Sequence, residues 1–323
     1  MKKSVSTFLS ADGKTAVSYK IWEPDDASSI RAVVQLSHGM CEYVDRYAAY
    51  AEHLTARGIV FAGNDHLGHG DTAASPDDYG YIADEDGAEL LVRDVAQMST
   101  LLRGRYPDNP LILLGHSMGS FVARLYLTEF SENLDGVIIM GTGGKKPAGL
   151  GKFVAGLIGG TRGERRRSKL LQAMTFAGNL KRTPKEEGTF AWLTKDREIV
   201  RAYEADERCG FNFTAQGYYD LFDLISRISG EEWAQKLPID LPMLLVSGAD
   251  DPIGGYGKGV SEVAALLAGA GVRDMTVHLF PGDRHEILNE TDRAEVYAYI
   301  DEWLDRVITP AEAYEYEKKS EEE

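Results

Sequence analysis

"LILLGHSMGSFVARLYL", residues 111–127, is apolar for four residues, breaks over Gly115, His116, Ser117, Met118 and Gly119, and then resumes with helical spacing. Four consecutive Leu/Ile side chains without polar alternation suit a strand buried on both faces of a sheet. Phe121, Val122, Leu125 and Tyr126 recur one turn apart, as on an amphipathic helix. Gly-x-Ser-x-Gly at such a junction is a sharp strand-to-helix turn that lifts the serine hydroxyl off the sheet. The flanking glycines avoid collision inside the bend and lower the cost of unusual backbone angles. Ser117 is therefore the candidate nucleophile.

Working outward, "RAVVQLSHG" (31–39), "GIVFAGNDH" (58–66), "GVIIMGT" (136–142), "MLLVSGADD" (243–251) and "TVHLFPG" (276–282) repeat the pattern: a short buried run ending in Gly, Ser, Asp or His. Helical periods separate them, among them Tyr43, Val44, Tyr47, Tyr50, Leu54 and Val296, Ile300, Trp303, Leu304, Val307. Strand and helix in alternation give an α/β, doubly wound, mostly parallel sheet, whose ligands bind at the carboxyl ends of the strands. The first stretch, with "ADGK" between alternating segments, reads as a hairpin. Between about Gly143 and Leu237 the alternation stops, and a helix-rich stretch carries Phe176, Phe190, Trp192, Phe211, Phe213, Tyr218, Tyr219 and Phe222. It reads as an insertion folding over the strand ends; a separate helical domain is the other reading.

Composition bounds the partners. The chain has 323 residues with Lys+Arg 35 against Asp+Glu 51, a formal charge of −16. That balance disfavours nucleic acid and strongly anionic surfaces. Two cysteines, Cys41 and Cys209, are too few for a disulfide scaffold and suggest no metal or redox pair. The N-terminal "MKKSVSTFLSADGK" lacks the apolar centre of a signal peptide, and no run approaches the ~18 apolar residues of a membrane span. The expectation is a cytoplasmic protein without cofactor or metal, acting on a small molecule, with at most transient lipid contact and an oligomeric state the sequence does not give.

A serine hydroxyl needs a base, and the base needs an orienting acid. In sheets carrying this turn the chain order is serine, acid, histidine. His38, His53, His66, His69 and His116 precede Ser117, and His278 lies inside a strand. His285, in "PGDRHEIL", follows a strand end and is the candidate base. For the acid, "SGADDPIGG" offers Asp250 and Asp251; Pro252 holds Asp251 in an extended or turn conformation, which favours it. Asp250 is expected to cap the next turn, and Glu286 to be solvated or to act behind the base. The N–H of Met118, after the nucleophile, and that of Met40, in the loop "QLSHGMCE", are the expected donors to a developing oxyanion.

Other motifs take plainer readings. "NDHLGHGDT" is expected to be a strand-end loop tied by polar side chains, rather than a metal site. "RGERRRSK" (162–169) is expected to be a solvated face. "AGLGKFVAGLIGG" (148–160) is either a mobile lid or a cap helix with its apolar face buried.

Together "HGMCEYVDRY", "NDHLGHGDT", "GHSMGS", "SGADDPIGG" and "PGDRHEILNE" resemble the α/β-hydrolase superfamily, and most closely its monoacylglycerol lipase and lysophospholipase branch. The resemblance implies a sheet of about eight strands with core segments at 1–143 and 238–310, a helical cap at 144–237 and a charged tail at 311–323. It implies a Ser117–Asp251–His285 triad, an oxyanion N–H from Met40, and hydrolysis of carboxylic esters of apolar acids through an acyl-enzyme. A serine aminopeptidase or amidase of the same fold is the alternative, although the Gly-Gly-Pro-Gly loop of the proline-releasing enzymes is absent. A catalytically silent binding protein is the other, and it would be expected to lack a triad residue.

Overall fold

The structure is a computed structural model describing residues 1–176 and 178–309; the tail expected over 311–323 lies outside them. β1 (Lys2–Leu9) and β2 (Ala16–Glu23) form the expected antiparallel hairpin. Its turn closes on the Asp12 carboxylate, which accepts from the Lys14 and Thr15 N–H groups at 2.7 and 2.8 Å. The runs of continuous apolar sequence become β3 (Ala32–Ser37), β4 (Ile59–Asn64), β5 (Leu111–His116), β6 (Gly136–Met140), β7 (Met243–Gly248) and β8 (Met275–Phe280). They assemble in the order β1-β2-β4-β3-β5-β6-β7-β8, parallel from β4 to β8, with β2 antiparallel to β4.

Nine α-helices accompany this sheet among the described residues: α1 (Ala48–Ala56), α2 (Gly87–Arg105), α3 (Met118–Tyr126), α4 (Ala148–Arg162), α5 (Lys169–Phe176), α6 (Arg197–Ala205), α7 (Ala215–Arg227), α8 (Lys258–Gly269) and α9 (Arg293–Ile308). The period-2 alternation of the strands decides which helices cover which face. Ile112, Leu114, Ile138 and Val246 pack with Tyr50, Leu54, Ile300 and Trp303 of α1 and α9. Leu113, Val137, Ile139 and Leu245 pack instead with Val95, Val122, Val263 and Leu267 of α2, α3 and α8. Each such side chain contributes about 1.5–3 kcal/mol when fully buried, so both faces must stay apolar. Gln35, wholly buried in β3, is tolerated because its amide donates to the Val95 carbonyl at 2.8 Å and accepts from Ser99 Oγ at 2.7 Å. His278, as its place in a strand implies, sits on the edge strand β8, its ring 4.2 Å from that of Tyr299.

Register sets the strand ends level. Ser37 faces Gly115, His116 faces Met140, Met140 faces Val246, and Gly248 faces Phe280. Residues just beyond these pairs therefore share one rim. α4 to α7 all fall between β6 and β7, in the stretch read as an insertion. Here α4 departs from the expectation of a cap helix with its large apolar face buried. Its small residues Ala148, Gly151, Ala155 and Gly159 face inward, while Leu150, Phe153 and Leu157 are 67 %, 69 % and 56 % exposed. The reason is steric: a Cβ on Gly151 would stand 2.8 Å from the Phe222 ring of α7, so only a small-residue stripe lets α4 lie that close. The basic run after α4 is partly tied down rather than simply solvated: Arg165 pairs with Asp78 at 2.7 Å, and Arg167 donates to the Asn212 carbonyl.

Candidate active site

Ser117 sits between the last residue of β5 and the first of α3, at φ +53° and ψ −118°. A non-glycine residue there costs of order 1–3 kcal/mol, so the surroundings must hold it. They do so on both sides. The Ser117 N–H donates to the Met140 carbonyl at 3.0 Å, and its own carbonyl accepts from Ser120 Oγ at 2.6 Å. Gly119 is obligatory, since a Cβ would lie 1.8 Å from the Ser37 carbonyl oxygen; at Gly115 one would lie 2.5 Å from that of Gly119.

The loops after β7 and β8 bring the two expected partners to the same rim. Ser117 Oγ is 2.8 Å from His285 Nε2, and His285 Nδ1 is 3.0 Å from Asp251 Oδ2. Because the carboxylate only accepts, Nδ1 carries the proton and Nε2 is free to accept from the serine. Asp251 is completely buried. Burial pushes its carboxyl up, but the electrostatic attraction and hydrogen bond of the His285 ring N–H, the Ile253 N–H at 2.8 Å and Ser247 Oγ at 3.0 Å outweigh that and hold it below the usual range. The Trp192 ring lies 5.1 Å from the His285 ring, and the His285 and Glu286 N–H groups donate to Trp192 and Leu193 carbonyls at 3.4 and 2.7 Å.

Of the expectations for the neighbours, that for Asp250 is corrected, and for Glu286 the solvated alternative is. Asp250 does not cap the turn: Asp251 takes the Ile253 N–H, and the carboxylate of Asp250 is half-exposed, 3.8 Å from Arg182. Glu286 is buried, not solvated. Arg46 grips it with two bonds of 2.7 Å, because the loop after β3 packs directly against the loop carrying His285.

The loop after β3 places Gly39 against Ser117, where a Cβ would stand 3.1 Å from that of the serine. Met40 and Met118 both line the cavity above it, and their N–H groups donate to no acceptor among the described residues. Sequence reasoning missed what anchors this loop. Glu42 Oε1 accepts from the Gly39 N–H at 2.6 Å and Tyr47 Oη at 2.9 Å, and His116 Nδ1 lies 3.1 Å away; Oε2 accepts from Arg46 at 2.7 Å. Burial alone would raise the Glu42 carboxyl, but His116 and Arg46 hold it well below the usual carboxylate range. His116 is buried too, yet Glu42 raises it, and both its nitrogens face acceptors, with the His285 carbonyl 3.3 Å from Nε2. The i, i+4 spacing of Glu42 and Arg46 was the available signal.

The loop "NDHLGHGDT" is tied by polar side chains, as expected. Asp65 pairs with buried Lys20 at 2.5 Å and accepts from the Val44 and Asp71 N–H groups at 2.9 and 2.8 Å. His66 and His69 are wholly buried, and burial brings them down to about 3 and about 4. Among the described residues, the acidic and histidine groups near enough to share an ion are Asp283, Glu290 and Asp292. Asp283 there is already bound to Lys195 at 2.8 Å.

Above Ser117 and His285 opens a cavity of about 730 Å³. Phe121, Leu221, Phe222 and Ile225 line it, together with Phe176, Phe190, Trp192 and Phe211 from the aromatic set noted in the sequence. Phe213 and Tyr218 of that set are core residues instead.

Residues 28–292 match the family described as serine aminopeptidase, S33. The chain belongs to that family. Among curated relatives of this S33 member is the monoacylglycerol lipase of Mycolicibacterium smegmatis, 24% identical over 90% of this chain and 94% of its own. The human monoglyceride lipase is 30% identical over 41% of each chain. A solved carboxyl esterase from Bacillus coagulans, in complex with glycerol, superposes with a TM-score of 0.88 at 29% identity, over 96% of this chain and 100% of that one. These likenesses make the chain an α/β-hydrolase of the monoglyceride lipase-like branch. Among the described residues no helix is long and apolar enough to cross a membrane.

Proposed function

We propose that the chain hydrolyses carboxylic esters of apolar acyl groups, of the monoacylglycerol or lysophospholipid type, with Ser117 as nucleophile. The observation that carries this is the unbroken hydrogen-bonded chain Ser117–His285–Asp251 at the floor of an aromatic-lined cavity. Ser117 Oγ attacks the ester carbonyl as His285 Nε2 takes its proton. Asp251 keeps the imidazole in the right tautomer and stabilises its cationic form. The N–H groups of Met40 and Met118 receive the oxyanion, an interaction of the kind whose loss costs about 2.7–4 kcal/mol. His285 then returns the proton to the leaving alcohol. Water, deprotonated by the same histidine, attacks the acyl-enzyme and releases the acid.

The names of the relatives support an ester substrate: a monoacylglycerol lipase and a carboxyl esterase whose structure holds glycerol. The family description raises the aminopeptidase reading, which requires an acid free to bind a substrate ammonium. The acids lining this cavity, Glu42 and Glu286, are both engaged by Arg46, which argues against it. Turnover of p-nitrophenyl esters from two to twelve carbons, beside an aminoacyl-naphthylamide, tests the choice. Ester turnover with an optimum at intermediate or long chains supports the proposal. Cleavage of the amide alone overturns it.

A further inference from the structure

Resting on the serine-hydrolase reading above, we infer that His38 is a positioning residue for the oxyanion site, holding the Gly39–Met40 peptide so that its N–H faces the reacting carbonyl. The Gly39 carbonyl and the Met40 N–H belong to one peptide unit, and no peptide bond among the described residues is cis. In a trans peptide the C=O and N–H point in opposite directions from the same plane. Whatever fixes the carbonyl therefore fixes the direction of the N–H.

His38 Nδ1 lies 2.8 Å from the Gly39 carbonyl oxygen. The other ring nitrogen settles the tautomer. The His66 backbone N–H reaches His38 Nε2 at 3.0 Å, and an N–H can only donate. Nε2 is thus the acceptor, the neutral ring carries its proton on Nδ1, and Nδ1–H donates to the carbonyl. The ring stays neutral because burial, and then the neighbouring rings of His66 and His69, push its protonation well below the ordinary histidine range. The His66 ring is 4.3 Å away, and His38 itself is wholly buried.

The preceding peptide is gripped from its other side, where Glu42 accepts the Gly39 N–H at 2.6 Å. Gly39 is thus held at its N–H by Glu42 and at its C=O by His38. With both polar groups of Gly39 taken, the Met40 N–H, on the cavity that Ser117 also lines, donates to no acceptor among the described residues. Without the His38 donor the Gly39–Met40 peptide could rotate, and a carbonyl dipole would then face the developing negative charge. The buried rings of His66 and His69 help to keep His38 neutral, and its Nδ1–H is committed to one carbonyl.

Two substitutions separate this from a purely structural role. His38→Asn places an amide N–H close to where Nδ1 stood and gives up the bond from His66. His38→Gln places an acceptor close to where Nε2 stood and gives up the donor to Gly39. Measured with p-nitrophenyl butyrate, the inference predicts that Gln lowers kcat by ~10²-fold with KM within about twofold, the scale of losing one oxyanion donor. Asn is predicted to stay within about fivefold of the parent. The Ki for n-butylboronic acid, whose serine adduct is an anionic tetrahedron, should rise with the fall in kcat, whereas that for butyramide should not. Equal losses in the two variants, a smaller loss in Gln than in Asn, or boronate binding that ignores the kcat change would overturn the inference. If Gln does not fold, a weakened boronate affinity in the folded Asn variant overturns it, and a parental affinity there supports it. A parent that turns over no ester and takes no fluorophosphonate label removes the hydrolase reading and this one with it; an active parent with Gln equal to Asn removes only this one.

Discussion

Arg46 and Glu286 lock together two loops that lie 240 positions apart in the chain, through a pair of 2.7 Å bonds, and so tie the loop after β3 to the loop that carries His285. The same guanidinium reaches Glu42, the anchor of the Gly39 N–H. One cation therefore ties the loop bearing Gly39 and Met40 to the loop bearing His285. Glu286→Ala leaves Arg46 paired with buried Glu42 but strips two of its N–H bonds, and a buried donor left unsatisfied costs about 1–3 kcal/mol. A loss of that size is expected in urea unfolding. A loss below about 1 kcal/mol would show that water replaces the carboxylate freely.

In the proposed mechanism Asp251 acts through His285, so its loss is expected to be felt in kcat more than in KM. In Asp251→Asn the side-chain amide can donate to Nδ1, which favours the wrong imidazole tautomer and costs ~10⁴ in kcat where such a change has been made. The expected outcome is a fall of that order in p-nitrophenyl butyrate turnover, with a circular dichroism spectrum like that of the parent. A loss under tenfold would mean that another group orients the base.

Two glycine-to-alanine changes should move stability in opposite directions. Gly119→Ala forces a Cβ to 1.8 Å from the Ser37 carbonyl, against a turn already held at positive φ, and is expected to abolish soluble folded protein. Gly104, in α2, has nothing within 4 Å of the same atom, so Gly104→Ala should stabilise by about 0.5–1 kcal/mol through helix propensity alone. Thermal unfolding of the pair reads both signs at once.

Asp220 of α7 is buried, with one carboxylate oxygen unmatched, and burial pushes its carboxyl up to about 7; Asp223 adds to that and the Gln216 hydrogen bond opposes it. A carboxyl that is raised in the folded state favours folding while protonated. Its contribution is complete below about pH 4, where the unfolded chain is also protonated, and is lost as pH rises through about 7. The melting temperature of the parent should therefore fall from pH 5 to pH 8 by more than that of Asp220→Asn, which has no charge to bury. Parallel curves for the two proteins would show that Asp220 ionises at no cost.

Much of this site was legible because each element announces itself locally. The β5 strand, the glycine-flanked serine and the α3 helix are one contiguous stretch, and their shared geometry follows from sterics within it. His285 and Asp251 were legible through chain order and strand ends, since register brings every strand's carboxyl end to one rim. The Glu42–Arg46–Glu286 group was not, because buried charges look like solvated ones until the loops that bury them are seen together. The α4 helix misled for a related reason. A helix is usually read by its large apolar residues, but here the partner, α7, supplies the bulk and α4 contributes the small face. His38 was passed over as a base, and its bond to a backbone carbonyl leaves no mark in residue type.

The most direct measurement is the intact mass of the protein after incubation with an alkyl fluorophosphonate, in the parent and in Ser117→Ala. The account predicts one added phosphonyl group on the parent, mapped to the peptide containing Ser117, and none on the variant. Equal labelling of the two proteins, or no labelling of a folded parent, would contradict it.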